Sequence, residues 1–343
     1  MAIIPKATDS IAARIDRYSV ECQTDQPREY MGVSGIGHLC ERWVWLNFRW
    51  AVREKFEGRM LRLFDRGHRE EVAVIANLRG IGVDVQSTGA NQSRVNLGKH
   101  LRGHMDGLIE KGIPGISKKP HILEIKTHNK KSFDQLVKDG VQKSKPQHYA
   151  QMQLYMVGAK VDRALYYAVC KDDDRIHTER IKLDQAYADK MIAKAHRLAL
   201  SDEMPPPISR DPSWYQCQWC AARPICHEKQ PSTQVNCRTC ANATVREDDW
   251  RCERHDADGI PVEFQREGCE AHVLHPHLVP WPRKASPDKW EAVYVIDGKD
   301  VRNGEPDAFT FGSKEILANP SECANPQPLT VELRQEMGGR ITT

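Results

Sequence analysis

The sequence predicts a mixed α/β fold in which helices flank a central sheet. Between residues 34 and 200, segments with helical periodicity alternate with shorter segments rich in β-branched and aromatic residues. The predicted order is helix, helix, three strands, helix, two strands, helix, which is typical of a layered α/β domain. The composition agrees with this class, because 40% hydrophobic and 28% charged residues describe an ordinary globular protein.

Four segments predict the helices. Residues 34–57 are rich in aromatics and have Ser34 as the expected N-cap. Residues 59–79 follow, with apolar side chains that recur mostly at three- and four-residue steps. Residues 147–159 and 184–200 predict the other two helices.

Six segments predict strands, of which five belong to the central sheet. The five are GIGVDVQ (80–86), LRGHMDGLIE (101–110), PHILEIKT (120–127), RALYYAVCK (163–171) and RIHTERIKL (175–183). The sixth, WEAVYVI (290–296), stands apart near the C-terminus. Because side chains alternate along a strand, Leu123 and Ile125 should face the core, while Glu124 and Lys126 share the opposite face.

A proline-rich stretch at residues 203–212 indicates a boundary after the α/β region. We therefore expect four parts. They are an N-terminal segment (1–33), an α/β core closed by cysteines (34–230), a small cysteine and histidine module (231–283), and a C-terminal tail or small subdomain (284–343). No run is long enough to span a membrane and the N-terminus lacks an apolar signal core, so a cytoplasmic location is expected.

Positive charge is concentrated in one stretch, although the net charge is only +3. Residues 111–150 contain nine lysines and three acidic residues, a balance that favours a polyanionic partner. The alternative is a solvated, lysine-rich surface with no partner. The lysines expected to contact phosphates are Lys130, Lys131, Lys138, Lys143 and Lys145.

Asp106, Glu124 and Lys126 form the clearest chemical pattern. Asp106 should lie on the strand that neighbours Glu124 and Lys126, so the two carboxylates should converge. Paired carboxylates suit Mg²⁺ or Mn²⁺, and an adjacent lysine can orient water or stabilise charge on a phosphate. Each element alone has an ordinary explanation, such as a surface ion pair or a turn. Together they predict phosphodiester hydrolysis.

These residues resemble the PD-(D/E)XK nuclease superfamily, and within it the RecB-like exonucleases. The resemblance covers roughly residues 30–200 and rests on four elements in order, although Met105 stands where the superfamily nominally has proline. The elements are RGHREE with Gly67 and Glu71, GHMD with Gly103 and Asp106, EIK with Glu124 and Lys126, and QMQLY with Gln151 and Tyr155. The expected fold is therefore a restriction-endonuclease-like core.

The resemblance implies a metal-dependent DNA exonuclease of bacterial or phage origin, acting in recombination, repair or defence on sequence-tolerant single- or double-stranded DNA. The implied metal ligands are Asp106, Glu124 and the carbonyl of Ile125, helped by Glu71 or His68. Lys126 would act on the water or phosphate, and Gln151 and Tyr155 would position the backbone. Two alternatives remain open: an endonuclease of the same superfamily, and a non-catalytic module that binds nucleic acid.

A first cysteine cluster has the spacing Cys217-x₂-Cys220-x₅-Cys226, which leaves a four-coordinate site one ligand short. Cys40 is the best remaining candidate. This distribution resembles the iron–sulfur staple of AddB-type and CRISPR-associated RecB-like exonucleases, which implies a structural [4Fe–4S] cluster. Thiolates also suit zinc, so spacing leaves the metal open. Unligated cysteines are the third possibility.

A second cluster contains Cys237, Cys240, Cys252 and Cys269, with His255 and His272 close by in sequence. Crowded Cys and His pairs in a chain without a secretory signal favour a structural zinc site over disulfides. Six candidates exceed the usual four ligands, and we favour the four cysteines with His272 as first substitute. Such a module either contacts DNA or a protein partner, or only stabilises a small segment that lacks a core.

Overall fold

The computed structural model describes residues 10–23, 26–86, 88–115 and 119–337. These residues form two compact units, each built from separate stretches of sequence. Unit 1 comprises residues up to 37, 54–97 and 101–195. Unit 2 comprises residues 38–53, 98–100 and 196 onward.

The helices and strands are numbered along the chain. The helices are α1 (Ile11–Glu21), α2 (Val33–Ile36), α3 (Glu41–Phe48), α4 (Gly58–Gly80), α5 (Lys130–Ser144), α6 (Pro146–Ala159), α7 (Gln185–Leu200), α8 (Arg223–His227), α9 (Val262–Glu267), α10 (Ser313–Ala318), α11 (Pro320–Ala324) and α12 (Pro328–Met337). The strands are β1 (Met31–Gly32), β2 (Asp84–Gln86), β3 (Arg94–Asn96), β4 (Leu101–His104), β5 (Gly107–Lys111), β6 (His121–His128), β7 (Arg163–Cys170), β8 (Ile176–Lys182), β9 (Ala243–Val245), β10 (Trp250–Cys252), β11 (Arg283–Lys284), β12 (Ala292–Ile296), β13 (Lys299–Asn303) and β14 (Thr310–Phe311).

Unit 1 is organised around a five-stranded mixed sheet in the order β2-β5-β6-β7-β8. Strands β6 and β7 are parallel, and the other neighbouring pairs are antiparallel. A parallel pair needs a long crossover, which α5 and α6 supply here. A second sheet in this unit has the order β1-β4-β3. The mixed α/β class predicted from sequence is thus confirmed.

One face of the five-stranded sheet packs against α4. Leu123 and Ile125 of β6 join this core, as the alternation of the strand predicts. The helix contributes Val74, Ile75 and Leu78. Each fully buried side chain of this size stabilises the fold by roughly 1.5–3 kcal/mol. The opposite face of β6 is left for Glu124 and Lys126.

The predicted helix over residues 34–57 is wrong. The segment forms the short helices α2 and α3, and residues 51–57 have no regular structure. The N-caps are Gly32 and Cys40 instead of Ser34. After α3 the backbone of Trp50 enters the left-handed region with φ 53°, which ends the helix. The aromatic residues of this segment are therefore spaced for burial in the core and do not indicate one continuous helix.

The predicted strand over residues 101–110 is also interrupted. It divides into β4 and β5, which belong to different sheets, and Asp106 lies in the break. The sequence prediction missed β3, which pairs with β4, and it missed α5 entirely. Helix α5 has few apolar residues and contains Gly140 at φ 74°, so its helical periodicity is weak. The remaining predicted helices and strands of this region are present.

Unit 2 is held together by buried arginines between aromatic rings. The guanidinium of Arg238 lies 3.7 Å from the ring centroid of Trp50 and donates to the carbonyl of Phe48 at 3.0 Å. Arg49 lies 4.6 Å from the ring centroid of Trp45 and donates to Asp202 at 2.8 Å. These contacts offset part of the cost of burying the two guanidinium groups, although Nε of Arg49 has no hydrogen-bond partner among the described residues.

The C-terminal part of unit 2 contains a four-stranded sheet in the order β11-β12-β13-β14, followed by three helices. Arg334 of α12 donates to Glu315 at 2.6 Å and to the carbonyl of Thr310 at 2.7 Å. Residues 338–343, the end of the predicted tail, lie outside the described residues. In the described part of the chain, no helix combines the length and the apolar character that crossing a membrane requires.

Candidate active site

Asp106, Glu124 and Lys126 come together in unit 1. Asp106 lies between β4 and β5, and the other two residues lie on β6. The Oδ2 atom of Asp106 accepts a hydrogen bond from the backbone N–H of Ile125 at 2.8 Å. The Nζ atom of Lys126 lies 3.8 Å from this same oxygen and is in ion-pair contact with Glu124. The break after β4 is what brings Asp106 to β6.

Glu124 is the most constrained of these residues, because its side chain is fully buried. Among the described residues, neither carboxylate oxygen has a hydrogen-bond partner, and Lys126 is the cation in contact with it. Burial raises the pKa of Glu124 to about 8, although Lys126 acts to lower it. Burying a carboxylate with so few donors is costly. A group in such a place either stays protonated or binds a cation.

Lys126 remains a cation. Burial acts to lower the pKa of its ammonium group, but the carboxylates of Glu124 and Asp106 outweigh burial and raise it. Its Nζ also donates to the carbonyl of Ile125 at 3.2 Å. A protonated lysine is suited to stabilising negative charge and unsuited to accepting a proton from water.

Glu71 lies on α4 and extends the acidic cluster. Burial raises the pKa of Glu71, and the charge of Asp106 raises it further, whereas Lys126 and His68 lower it. The sequence analysis left open whether Glu71 or His68 assists the metal. Glu71 is half-buried and responds to both Asp106 and Lys126, while His68 is exposed. The electrostatic coupling therefore favours Glu71.

Gln151 and Tyr155 lie on α6 at the same site. The Nε2 of Gln151 donates to the Tyr155 hydroxyl at 3.2 Å. Burial, followed by the charge of Glu124, raises the pKa of Tyr155. Its ring packs so closely on β4 that a Cβ at Gly103 would lie 2.8 Å from the ring and 3.0 Å from Val33. A side chain at position 103 would therefore displace the ring of Tyr155 or the side chain of Val33.

The donors of this cluster fit a hard divalent cation. Asp106, Glu124 and Glu71 supply carboxylate oxygens, and the fully buried carboxylate of Glu124 has only the ammonium group of Lys126 in contact with it among the described residues. Oxygen donors are what Mg²⁺ and Mn²⁺ prefer. The carbonyl of Ile125 is hydrogen-bonded to Lys126 in this structure.

The predicted phosphate-contacting lysines differ in their surroundings. Lys130 lies 3.6 Å from both Asp134 and Asp173. Lys143 lies 3.4 Å from Asp139, and Lys131 and Lys138 are exposed on the same helix, α5. Lys145, immediately before α6, has a pKa that burial lowers. Surface ion pairs of this kind are weak, so a polyanion can compete for Lys130 and Lys143.

The first cysteine cluster lies within unit 2. Cys40, Cys217, Cys220 and Cys226 line one small cavity, together with His38 and Trp43. Burial raises the pKa of the thiols at 217, 220 and 226, and the neighbouring cysteines add to the shift. All four are free thiols. Cys40, which is distant in sequence, is thus brought to the other three.

The second cluster also lies within unit 2. The thiols of Cys237, Cys240, Cys252 and Cys269 line a second small cavity, and burial raises the pKa of Cys237 to about 12. His272 lines the same cavity, but its ring contacts the hydroxyls of Thr239 and Ser313 at 3.2 Å and 2.8 Å. The Nε2 of His255 lies 3.9 Å from the sulfur of Cys269.

Neither cluster is a finished metal site as the side chains stand. Throughout residues 10–23, 26–86, 88–115 and 119–337, no group of three or more His, Cys, Asp or Glu side chains is arranged to hold a metal ion. The chemistry of the donors nonetheless suits soft or borderline metals, because both cavities are lined by thiols.

Three residues beside the carboxylates were missed by the sequence analysis. His128, His148 and Tyr166 form a hydrogen-bonded network on the same face of the sheet as Glu124. A signal for His148 was present, because it precedes Gln151 by three residues on one helix. The position of Tyr166 depends on strand register, which sequence periodicity does not specify.

Comparisons with known proteins identify the family. A sequence profile of the PD-(D/E)XK nuclease superfamily matches residues 10–227, which is more than half of the chain. A comparison with curated protein sequences gave no match. Among solved structures, SSO0001 is similar with a TM-score of 0.41 and 16% identity over 64% of this chain and 96% of that one.

Two further solved structures were found. The alkaline exonuclease LHK-Exo from Laribacter hongkongensis has a TM-score of 0.34 and 17% identity, over 54% of this chain and 90% of that one. A phage-related exonuclease from Haemophilus somnus 129PT has a TM-score of 0.29 and 19% identity, over 38% of this chain and 66% of that one. These likenesses are too distant to carry an argument about activity.

Proposed function

Because the chain belongs to the PD-(D/E)XK nuclease superfamily, we propose that it is a divalent-metal-dependent deoxyribonuclease that hydrolyses phosphodiester bonds at DNA ends. The observation that carries the proposal is the fully buried carboxylate of Glu124, which lies beside Asp106, contacts the ammonium group of Lys126 and has no further hydrogen-bond partner among the described residues. A protein keeps so costly a group where it has a task, and cation binding supplies one.

Asp106 and Glu124, with Glu71, would hold the metal. A bound Mg²⁺ or Mn²⁺ would supply a water of lowered pKa and would neutralise charge on the phosphate. Asp106 is pre-oriented for this role by the backbone N–H of Ile125. Glu124 must give up its proton to become a ligand, and Lys126 beside it favours that loss.

Lys126 would stabilise the negative charge that develops on the phosphate during hydrolysis. Its raised pKa keeps the ammonium group protonated, so it serves as a fixed cation. Gln151 and Tyr155 would position the DNA backbone, since their side chains are already held together by a hydrogen bond. The lysines of α5 and Lys145 would contact phosphates farther along the strand.

The preference for ends is the finer part of the proposal, and it rests on the resemblance of the four sequence elements to RecB-like exonucleases. An endonuclease of the same superfamily is the alternative. The full chain should degrade end-labelled linear DNA in Mg²⁺ or Mn²⁺ and leave nick-free circular plasmid intact. Linearisation of the circle would instead favour the endonuclease, and inactivity on every DNA would favour a non-catalytic binding module.

The site assignment is tested by three substitutions, Asp106→Ala, Glu124→Ala and Lys126→Ala. Each should lower cleavage at least about 100-fold while the fold persists, because one member of a metal site is lost. Glu110→Gln is the matched control, since this carboxylate is exposed on the neighbouring strand β5. Cleavage by Glu124→Ala at the wild-type rate would reject the assignment.

We further propose that Cys40, Cys217, Cys220 and Cys226 hold a structural [4Fe–4S] cluster. The shared cavity and the absence of disulfides among these free thiols support it. Burial keeps such thiols protonated until a metal takes the place of the proton, so metal and protons compete. Zinc at the same four thiols is the alternative, which metal analysis separates from iron.

A zinc ion at Cys237, Cys240, Cys252 and Cys269 completes the proposal. His272 is a weaker candidate than in the sequence analysis, because both ring nitrogens contact hydroxyl groups. The role of this zinc would be structural, with a protein or DNA partner as a further possibility. The expected setting is the cytoplasm of a bacterial or phage-infected cell, in recombination, repair or defence.

A further inference from the structure

A polar network that the proposed chemistry does not use lies beside Glu124. The hydroxyl of Tyr166 contacts Nε2 of His128 at 2.9 Å and Nδ1 of His148 at 2.7 Å. Nδ1 of His128 in turn contacts the hydroxyl of Ser132 at 3.1 Å. Tyr166 and His128 are buried. Four side chains, those of His148, Tyr166, His128 and Ser132, are therefore linked into one chain of hydrogen bonds.

This network faces the carboxylates. Tyr166 is the cross-strand partner of Glu124 in the parallel pair β6 and β7, so the two side chains share one face of the sheet. His148 precedes Gln151 and Tyr155 by three and seven residues, which places all three on one stripe of α6. His148 therefore extends the Gln151–Tyr155 stripe by one helical turn.

His148 has a cationic environment. Burial lowers the pKa of His148 to about 3, and the charges of Lys126 and Lys145 lower it further. The ring is neutral at physiological pH, and the positive charges of Lys126 and Lys145 both act on it. Such a place attracts an anion, and a neutral imidazole can offer it one N–H group.

The positions of the protons in this network determine whether Nε2 of His148, the ring nitrogen that does not contact Tyr166, is a donor or an acceptor. The Tyr166 hydroxyl has one proton and contacts two imidazole nitrogens, so it donates to one and accepts from the other. If it donates to Nδ1 of His148, then Nε2 of His148 carries a proton and is a donor. The chain is completed when His128 donates to Tyr166 and Ser132 donates to His128. The opposite arrangement, in which Tyr166 donates to His128 and accepts from His148, also satisfies every group. An anion at Nε2 of His148 favours the arrangement in which Tyr166 donates to His148.

We propose that His148 donates a hydrogen bond to a phosphate of the DNA backbone next to the scissile bond, and that Tyr166 is the residue that positions its ring. The inference rests on the proposed function in that the ligand is DNA. It adds a substrate-binding residue one turn before the Gln151–Tyr155 pair. The four sequence elements did not include this residue.

The test is binding of a DNA oligonucleotide in Ca²⁺, so that hydrolysis is not required. His148→Leu should weaken binding by about 10-fold or more, as expected for a hydrogen bond to a charged group. Tyr166→Phe should weaken it less, since the ring of His148 remains. Tyr149→Phe is the matched control, because this phenol lies on α6 but packs on Tyr187. Melting curves verify that each variant folds.

A purely structural network would produce some of these losses, so a phosphate-specific measurement is needed. Single neutral methylphosphonate linkages are placed along the strand. At one position, the neutral linkage should weaken DNA binding by the wild-type protein by about 10-fold. The same linkage should change binding by His148→Leu little, because this variant already lacks the hydrogen bond to that phosphate. Equal losses in both proteins at every linkage would overturn the inference. His148→Phe, which keeps an aromatic ring but has no donor, serves the same comparison if the leucine variant does not fold.

The outcome is separable from that of the proposed function. Cleavage of DNA by the wild-type protein without coupling between His148 and any linkage rejects the contact and leaves the nuclease in place. Coupling without cleavage in Mg²⁺ or Mn²⁺ supports the contact and rejects the nuclease. A wild-type protein that neither binds nor cleaves DNA rejects both.

Discussion

Glu124 is a buried carboxyl group that lowers the stability of the fold and that we propose as a metal ligand. Its carboxyl is fully buried, its oxygens lack donors, and burial raises its pKa to about 8. A group whose pKa is higher in the folded than in the unfolded chain stabilises the fold at low pH. That contribution is lost as the pH rises through the folded value.

Glu124→Gln should therefore make the stability of the folded chain depend less on pH. In EDTA, the melting temperature of the wild-type protein should fall between about pH 5 and pH 8, while the variant should lose less over the same range. By about pH 8 the variant should melt at least about 2 °C higher. Scanning calorimetry or circular dichroism measures both, with Glu110→Gln as the exposed control. Parallel curves for all three proteins would show that Glu124 does not contribute to this pH dependence.

Gly103 is the second residue whose local geometry leads to a testable prediction. Gly103→Ala would bring a Cβ to 2.8 Å from the ring of Tyr155. We expect a loss of stability of about 1–3 kcal/mol, typical of overpacking, together with reduced cleavage. Chemical denaturation and the linear-DNA assay measure these effects.

Gly67 provides the matched comparison. It belongs to the G-x-x-x-E element of the sequence, but a Cβ there would meet open space on α4. Gly67→Ala should raise stability by about 0.5–1 kcal/mol, because alanine suits a helix interior better than glycine. If both alanine variants lose stability equally, then close packing at Gly103 is not the cause.

At the scale of elements, α5 determines how far basic charge extends from the site. It carries four of the five predicted lysines, and acidic residues of α5 and of the turn after β7 already accompany Lys130 and Lys143. The local excess of lysine in sequence therefore overstates the free positive charge. Lys131 and Lys138, exposed on the same helix, are the better test.

Lys131→Glu combined with Lys138→Glu should weaken DNA binding about equally for all sequences. Each phosphate contact contributes about 0.7–0.9 to the slope of log affinity against log salt, so the slope should become shallower by roughly one to two. Fluorescence anisotropy at several salt concentrations measures it. Lys190→Glu on α7, compared with Lys131→Glu alone, is a charge-matched control on an exposed residue of another helix. An unchanged slope would mean that α5 does not contact the backbone.

At the scale of the whole molecule, a metal cluster at the first cysteine cluster would close a long loop of the chain. Cys40 lies far from Cys217, Cys220 and Cys226 in sequence, yet all four line one cavity of unit 2. Cross-linking distant segments restricts the unfolded chain and so stabilises the folded one, most strongly for long loops. A cluster at this place would tie the two sequence stretches of unit 2 together.

Cys40→Ser should cost as much iron as Cys220→Ser in anaerobically purified protein. The reason is that four ligands share one cluster, whereas a local zinc site at 217–226 would not depend on Cys40. Iron content and visible absorption are measured for both variants, with the exposed Cys22→Ser as control. Full iron content in Cys40→Ser would exclude this ligand set.

The sequence by itself determined the mixed α/β class, most strands and helices of unit 1, and the acidic and lysine residues of the site. It could do so because these properties follow from the alternation of side chains along a strand and from the intrinsic chemistry of aspartate, glutamate and lysine. The opposite faces of Leu123 and Glu124, for example, follow from the alternation of a single strand.

Only the tertiary structure decided where elements break and which distant residues meet. The helix predicted over residues 34–57 does not continue past Trp50. Asp106 lies in a break between two strands that belong to different sheets. Strand register placed Tyr166 beside Glu124, which no periodicity specifies. Burial raised the pKa of Glu124, because the energy of a charge depends on its surroundings in the folded chain. Local patterns encode chemistry, whereas register, burial and proximity exist only once distant segments have packed.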